Sequence, residues 1–288
     1  MNNHLPPGAC DAHMHIFDER FTALPNALFR SAPVAAYRDL AAVFGIDRMV
    51  VVQPSGYGFD NSCTLDALAR LGSVSRGVVV IPPDTPRAEL DRLHALGVRG
   101  VRFMMALPGG LSWDSMAATA DAVSPLGWHL NLQFDGHQLP ERVALIQALP
   151  VDVVIDHYGA FHNGFNLGGP EVASLCRLLD TGKVWIKLAS PYAYGMSRIG
   201  PPGFADVGRL ASMLVSNYPD RCLWGSNWPH VAEKLMPCDD ELLTMAREWI
   251  GDDAVFTRIL VDNPARLYGF EEHSEVPRHN SANRLDAN

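Results

Sequence analysis

Eight short runs of β-branched and aliphatic residues, each followed by a longer helix-like stretch, constrain the fold of this chain more than any other feature. The runs are ACDAHMHIF (9–17), RMVVVQPS (48–55), RGVVVIP (76–82), VRGVRFM (98–104), GWHLNLQF (127–134), VDVVIDH (151–157), KVWIKLAS (183–190) and RCLWGSNW (221–228). Each is apolar and bounded by Gly, Pro or Asp, as strands buried in a parallel sheet are. Between them lie stretches such as TLDALARLG, RAELDRLHALG and PERVALIQALP, with Gly72 and Gly97 placed as C-terminal caps and Asn61 and Asp114 as N-caps. Strict alternation calls for parallel strands with right-handed crossovers, and eight such units close into a single (β/α)8 TIM barrel. An open doubly wound sheet is the alternative, but it usually carries a phosphate-binding glycine motif after its first strand, and here that strand ends in His-Met-His. The 288 residues suit one barrel. The barrel is expected over residues 1–270, with a polar, aperiodic tail over 271–288.

Composition narrows the partners. The formal net charge is -9 and no Lys/Arg run occurs, which argues against nucleic acid. An acidic protein gains nothing at long range from an anionic ligand, so a ligand carboxylate must be met by a local cation. The cysteines Cys10, Cys63, Cys176, Cys222 and Cys238 are odd in number and lack a CxxC pair. That is neither a disulfide framework nor a zinc-finger pattern, and it points to a cytoplasmic location. Neither a signal peptide nor a membrane span is expected. The sequence carries no signal of oligomeric state.

In a barrel the active site lies at the C-terminal strand ends. Strand one offers Asp11, His13 and His15, which alternation places on one face. Strand two ends in Gln53 and Ser55, strand four supplies Arg102, strand five Asn131 and Gln133, and strand six Asp156 and His157. Strand seven gives Lys187 and Ser190; strand eight gives Ser226, Asn227 and, after Trp228-Pro229, His230. His13 and His15 can converge on one metal or one oxygen. Arg102 suits bidentate recognition of a carboxylate or a buried ion pair, and Lys187 fits an ion pair as well as a site role. His129 reads as structural; His94, His137, His273 and His279 read as surface residues. The Gly-rich stretch HYGAFHNGFNLGGP (157–170) is a long loop of the kind that carries function, although it lacks the GK[ST] end of a phosphate loop.

The elements DAHMHIF, VVVQPSGYGFDN, VRGVRF, VVIDHYG, CLWGSNWPH and NPARLYGF follow one another over residues 10–270. This ordered set resembles the amidohydrolase-related proteins grouped around 2-pyrone-4,6-dicarboxylate lactonase, a group that includes lactone isomerases. The resemblance implies a distorted barrel, of amidohydrolase type, with its site at the strand mouths, and chemistry on lactones or related esters and amides. It places the family's first-strand histidines at His13 and His15, its sixth-strand histidine at His157, its polar residue after the strand-two Gln at Ser55, and its carboxylate-binding arginine at Arg102. Two departures stand out. Asn227 occupies the place of a catalytic aspartate in a WGTDWPH-like motif, and a neutral amide cannot take a proton from attacking water. Gln133 stands where metal-dependent relatives often have a histidine. No cofactor is therefore expected; a zinc ion, if bound, would be held by His13, His15 and His157.

The loops are poor in arginine at Met104 to Pro108, Ala160 and Ala193. Arg102 is left as the main anion receptor, which suits a small lactone with one carboxylate and several hydroxyls, of sugar-acid (aldarate) or pyrone type. Asn131, Gln133, Ser55, Tyr192 and Tyr194 are expected to bond those hydroxyls. The expected chemistry is acyl transfer at the lactone carbonyl. His13, His15 and His157 would stabilise the oxyanion, where one good donor supplies about 3–4 kcal/mol, and one of them or His230 would relay protons. Water as nucleophile makes the protein a lactone hydrolase. Asn227 argues instead for a hydroxyl of the substrate itself, which would yield an isomeric lactone. A barrel that binds sugar-acid ligands without turning them over is a third reading, opposed by the retained His-x-His, Asp-His and Arg set.

Overall fold

All eight apolar runs become strands: β1 (Cys10–Met14), β2 (Arg48–Val52), β3 (Ser75–Val79), β4 (Val98–Met104), β5 (His129–Gln133), β6 (Val153–Ile155), β7 (Val184–Leu188) and β8 (Cys222–Trp224). They lie parallel, in the order β1 to β8, in one sheet. Each crossover carries a helix: α1 (Val34–Phe44), α2 (Ser62–Leu71), α3 (Arg87–Ala95), α4 (Met116–Val123), α5 (Leu139–Gln147), α6 (Pro170–Leu179) and α7 (Ala205–Asn217). After β8 come α8 (Asp239–Ile250), α9 (Asp253–Thr257) and α10 (Asn263–Tyr268). The structure is a computed structural model that describes residues 4–105, 111–231 and 238–271. At the mouth β8 returns to β1: Asn227 N–H donates to His13 O at 2.7 Å and His15 N–H to Trp228 O at 2.8 Å. The sheet is thereby a nearly closed (β/α)8 barrel.

The barrel has two apolar zones. Outward-facing strand residues such as Met14, Val51, Val101 and Ile155 pack under the helices. Small and branched residues fill the interior, among them Cys10, Ala12, Val50, Val52, Val78 and Val154, with Trp185 and Leu223; Tyr268 and Phe270 pack with this cluster. Glycine is required where β8 meets β1, because a Cβ at Gly225 would lie 2.6 Å from the His13 Cβ. That close approach places the end of β8 against the first-strand histidines.

Several strands end sooner than the apolar pattern predicts. β6 stops at Ile155 and β8 at Trp224, since His157, Ser190, Asn227 and His230 take φ of 54°, 58°, 60° and 57°. Non-glycine residues seldom adopt this left-handed region, and it turns the chain out of the sheet. Gly72 caps α2 as expected, whereas Gly97 lies one residue beyond the cap of α3. Asn61 precedes α2, but its amide is spent on the N–H and C=O of Val80 rather than on the helix. Asp114 sits in a 3-10 turn and is no cap. Residues 106–108 of the arginine-poor loop, and 272–288 of the tail with His273 and His279, lie outside the described residues. No helix among the described residues is long and apolar enough to cross a membrane.

Candidate active site

The first strand does not present Asp11, His13 and His15 on one face. Its register against β2 shifts between Asp11 and Met14, leaving one extra residue on β1. Such a bulge resets the alternation of side chains. Asp11 faces α1, where it accepts bonds from Tyr37 Oη (2.9 Å), from Ser226 N–H (2.9 Å) and Oγ (2.5 Å), and from His13 N–H (3.0 Å). It is a clamp joining β1, α1 and the β8 loop. Burial pushes its carboxyl up, against the pull of these bonds.

His13 and His15 face inward, with ring centroids 4.9 Å apart; His157 lies at the same distance from His13. Beneath the mouth His13 joins a buried polar layer with Arg102, Asn131, Asp156 and Lys187. Lys187 Nζ donates to Asn131 Oδ1 at 2.7 Å and to His13 Nδ1 at 3.1 Å, and lies 3.5 Å from Asp156 Oδ1. Asn131 Nδ2 donates to Asp156 Oδ2 at 2.8 Å, and Arg102 Nη2 stands 3.8 Å from that oxygen. Burial alone would raise the Asp156 carboxyl, but the neighbouring His13 imidazole and the Lys187 ammonium hold it well below the usual range. Burial lowers Lys187 to about 8 against the pull of Asp156, so the pair is ionised at neutral pH. Lys187 thus serves the ion pair.

Burial also keeps the histidines neutral. It lowers His15 to about 3 and His157 to about 4, with the Arg102 charge acting in the same direction, and takes His13 well below its ordinary value. A neutral imidazole has one donor and one acceptor, assigned from its partners. His15 Nδ1 bonds Val52 O at 2.8 Å; its proton is committed there and Nε2 is left as an acceptor. The expectation that His15 donates to an oxyanion is therefore corrected: it presents a lone pair.

Above this layer opens a cleft of about 360 Å³, within the range of small-molecule sites. Of the residues expected at the site, His15, Ser55, Arg102, Gln133, His157, Tyr192, Tyr194, Asn227 and His230 line it. His13 and Asn131 do not; both are fully buried below its floor, and the Asn131 amide is spent on Lys187 and Asp156, so its expected contact with ligand hydroxyls is corrected. Gln53 also turns away, bonding Gly58 O, Asp60 O and Thr64 beside α2. Arg102 donates Nη1 to Gln53 O at 2.6 Å and Nη2 to Gln133 Oε1 at 2.8 Å, while its Nε has no partner among the described residues. Gln133 Nε2 donates to Tyr194 Oη, and His162 stacks on Tyr194 at 4.7 Å. Met104 and Ala193 line the wall, so Arg102 is the cation of the described lining, which holds no carboxylate. Four lining residues, His157, Tyr194, Asn227 and His230, have φ between 54° and 60°. Such conformations cost about 1–3 kcal/mol each and gather where function demands them.

One wall carries a group that the sequence does not announce. His230 Nε2 bonds Asp239 Oδ1 at 2.9 Å, His230 Nδ1 meets Tyr192 Oη at 2.5 Å, and Asn227 Nδ2 donates to the same phenol oxygen at 3.1 Å. Asp239 appears in the sequence only as one of several acids in CDDELL at a helix start. Of the surface histidines, His137 is exposed, but His94 is half-buried and accepts the Trp128 indole N–H at 2.9 Å. His129 is buried edge-on to Tyr268, consistent with a structural role.

The zinc ligands expected from sequence are not the set that assembles. Among the described residues, His13, Asp156 and His157 have ligand atoms within 4.8 Å of one another, and His15 is not in the group. His13 Nε2, His157 Nδ1 and Asp156 Oδ1 lack hydrogen-bond partners among the described residues. The charges, however, oppose a divalent ion. The one carboxylate already faces the Lys187 ammonium at 3.5 Å and the Arg102 guanidinium at 3.8 Å. A zinc ion would meet two fixed cations in a buried site where such repulsion is strong. The residues present do not fit it.

The model of the Amidohydrolase family matches residues 10–270. A 2-pyrone-4,6-dicarboxylate hydrolase of Comamonas testosteroni is 35% identical over 283 residues, covering 93% of this chain and 92% of its own length. A D-galactarolactone isomerase of Agrobacterium fabrum is 33% identical over 277 residues, covering 93% of each. A crystal structure of an Agrobacterium tumefaciens protein superposes with a TM-score of 0.87 at 32% identity, over 94% of this chain and 98% of that one.

Proposed function

The chain belongs to the amidohydrolase family, and from that premise we propose that it hydrolyses a small lactone bearing one carboxylate, without a metal. The observation that carries this reading is the lining of the cleft: one cation, Arg102, among neutral imidazoles and without a carboxylate in the described lining. An anionic, otherwise neutral and hydroxylated ligand matches that charge pattern. Arg102 meets the substrate carboxylate with the N–H groups it does not spend on Gln53 and Gln133. Ser55, Gln133 and Tyr194 bond hydroxyls. His15 Nε2, an acceptor, orients the attacking water, and the Asn227 amide and Ser55 hydroxyl face the developing oxyanion as donors. His13 acts from below the floor, holding the layer that positions His157 and Arg102. The named activities of two relatives, on D-galactarolactone and on 2-pyrone-4,6-dicarboxylate, support a lactone of sugar-acid or pyrone type.

Asn227 favours a second reading, isomerisation. Its amide takes no proton at neutral pH, and a substrate hydroxyl held beside the carbonyl needs less activation than water. A panel of sugar-acid and pyrone lactones tests the proposal with a pH indicator. Hydrolysis releases about one proton per turnover at neutral pH, since the product carboxyl ionises; isomerisation releases none. Ligand binding by NMR without turnover of any lactone would favour an inactive barrel and sink the proposal.

A further inference from the structure

We propose that the Tyr192 phenol takes and returns the proton of the attacking hydroxyl, with His230 and Asp239 as positioning residues behind it. This rests on the reading of the protein as a lactone-acting enzyme. The geometry is a chain of three groups leading from the base of α8 to the cleft. Asp239, the first residue of α8, holds His230 Nε2–H at 2.9 Å. That bond fixes the tautomer, because a neutral imidazole donating from Nε2 must accept at Nδ1. Tyr192 Oη lies 2.5 Å from Nδ1, with the two rings edge-on at 5.6 Å. His230, 1% exposed, and Tyr192 both line the cleft. A carboxylate orienting an imidazole, which in turn accepts from a hydroxyl, is the arrangement that activates a weak hydroxyl acid for proton transfer.

Asn227 completes the device. Its Nδ2–H donates to the phenol oxygen at 3.1 Å, which favours the phenolate as the proton leaves. An aspartate at this position would place an acceptor against the phenol and draw its proton away from His230. The neutral amide at 227 and the Tyr192–His230–Asp239 chain are therefore one design. A cleft whose described lining holds no carboxylate gains a proton acceptor through a phenol instead.

The protons balance. As the nucleophile oxygen bonds to the carbonyl carbon and the carbonyl π pair moves to oxygen, the nucleophile's proton passes to Tyr192 Oη and the phenolic proton passes to His230 Nδ1. As the carbonyl re-forms and the ring C–O bond breaks, the departing oxygen takes a proton from Tyr192, which regains one from His230. The protein ends in its starting state, whether the nucleophile is water or a substrate hydroxyl.

The test combines kinetics with ¹⁵N-histidine NMR on the full chain. General acid–base groups contribute about 10²–10⁴ in rate. Tyr192→Phe, with folding checked by circular dichroism, should lower kcat by that factor and leave KM within about threefold. Asp239→Asn should lower kcat at similar KM and relax the His230 tautomer, which in the wild type carries its proton on Nε2. Tyr192→Phe with kcat within about twofold of wild type overturns the assignment alone, as does a wild-type His230 protonated on Nδ1. The NMR measurement decides the matter should Tyr192→Phe fail to fold. A wild type that turns over no lactone of the panel overturns the functional reading and this assignment with it.

Discussion

Replacement of Arg102 by methionine is the sharpest perturbation of the cleft. The side chain is 4% exposed, and it is the cation in the described lining. Removing one partner of a buried charge pair costs about 3–5 kcal/mol. At 1.4 kcal/mol per tenfold, Arg102→Met should lower kcat/KM for a carboxylated lactone by about 10²–10⁴. Most of the change should appear in KM, since the carboxylate is held alike in ground and transition states. The substitution also leaves Gln53 O and Gln133 Oε1 without their donor, a loss of about 1–3 kcal/mol each. Asp156 keeps Lys187, so the fold should survive with a lower denaturation midpoint. The assay compares the lactone with its uncharged methyl ester. Wild type should strongly prefer the acid, and Arg102→Met should discriminate little. Equal losses on acid and ester would show that Arg102 supports the site without meeting the carboxylate.

Activity should survive dialysis against a strong chelator; loss that zinc restores would contradict the charge argument at Asp156. Lys187→Met should destabilise the fold by about 3–5 kcal/mol, because it leaves Asp156 buried without its nearest cation. The double variant with Asp156→Asn should lose less than the sum of the singles, and strict additivity in urea melts would refute the coupling. Stability should fall as pH drops below the ordinary histidine value of 6.5, since folded His15, His129 and His157 titrate only near 3, 3 and 4. In that window the unfolded chain binds more protons than the native one, which lowers unfolding free energy on acidification. Urea midpoints at pH 7 and pH 4.5 check this, and His129→Leu should flatten the slope; equal wild-type midpoints would refute it.

The barrel was legible because each strand is an apolar run cut off by Gly, Pro or Asp, and helices separate all of them. The ring of polar residues at the strand ends was legible for the same reason, and His15, Ser55, Arg102, Gln133, His157, Asn227 and His230 from it line the cleft. The β1 bulge was not. Alternation in sequence counts residues evenly, whereas one extra residue opposite β2 sends Asp11 outward and keeps His13 inward. The donor or acceptor role of His15 was equally hidden, since it depends on the Val52 carbonyl, 37 residues away. Asp239 joins the site only through the folding of α8 against the mouth, and its neighbours in CDDELL are chemically alike. Asn131 and Lys187 were visible as polar strand residues, but their depth below the floor is a property of barrel layering.

Turnover in ¹⁸O-labelled water, with mass detection of the product, tests the central claim most directly. A hydrolase that attacks the acyl carbon should yield a ring-opened acid carrying one ¹⁸O in its new carboxylate per single turnover. An isomeric lactone free of label would contradict water as the nucleophile, and label in the released hydroxyl would contradict attack at the carbonyl.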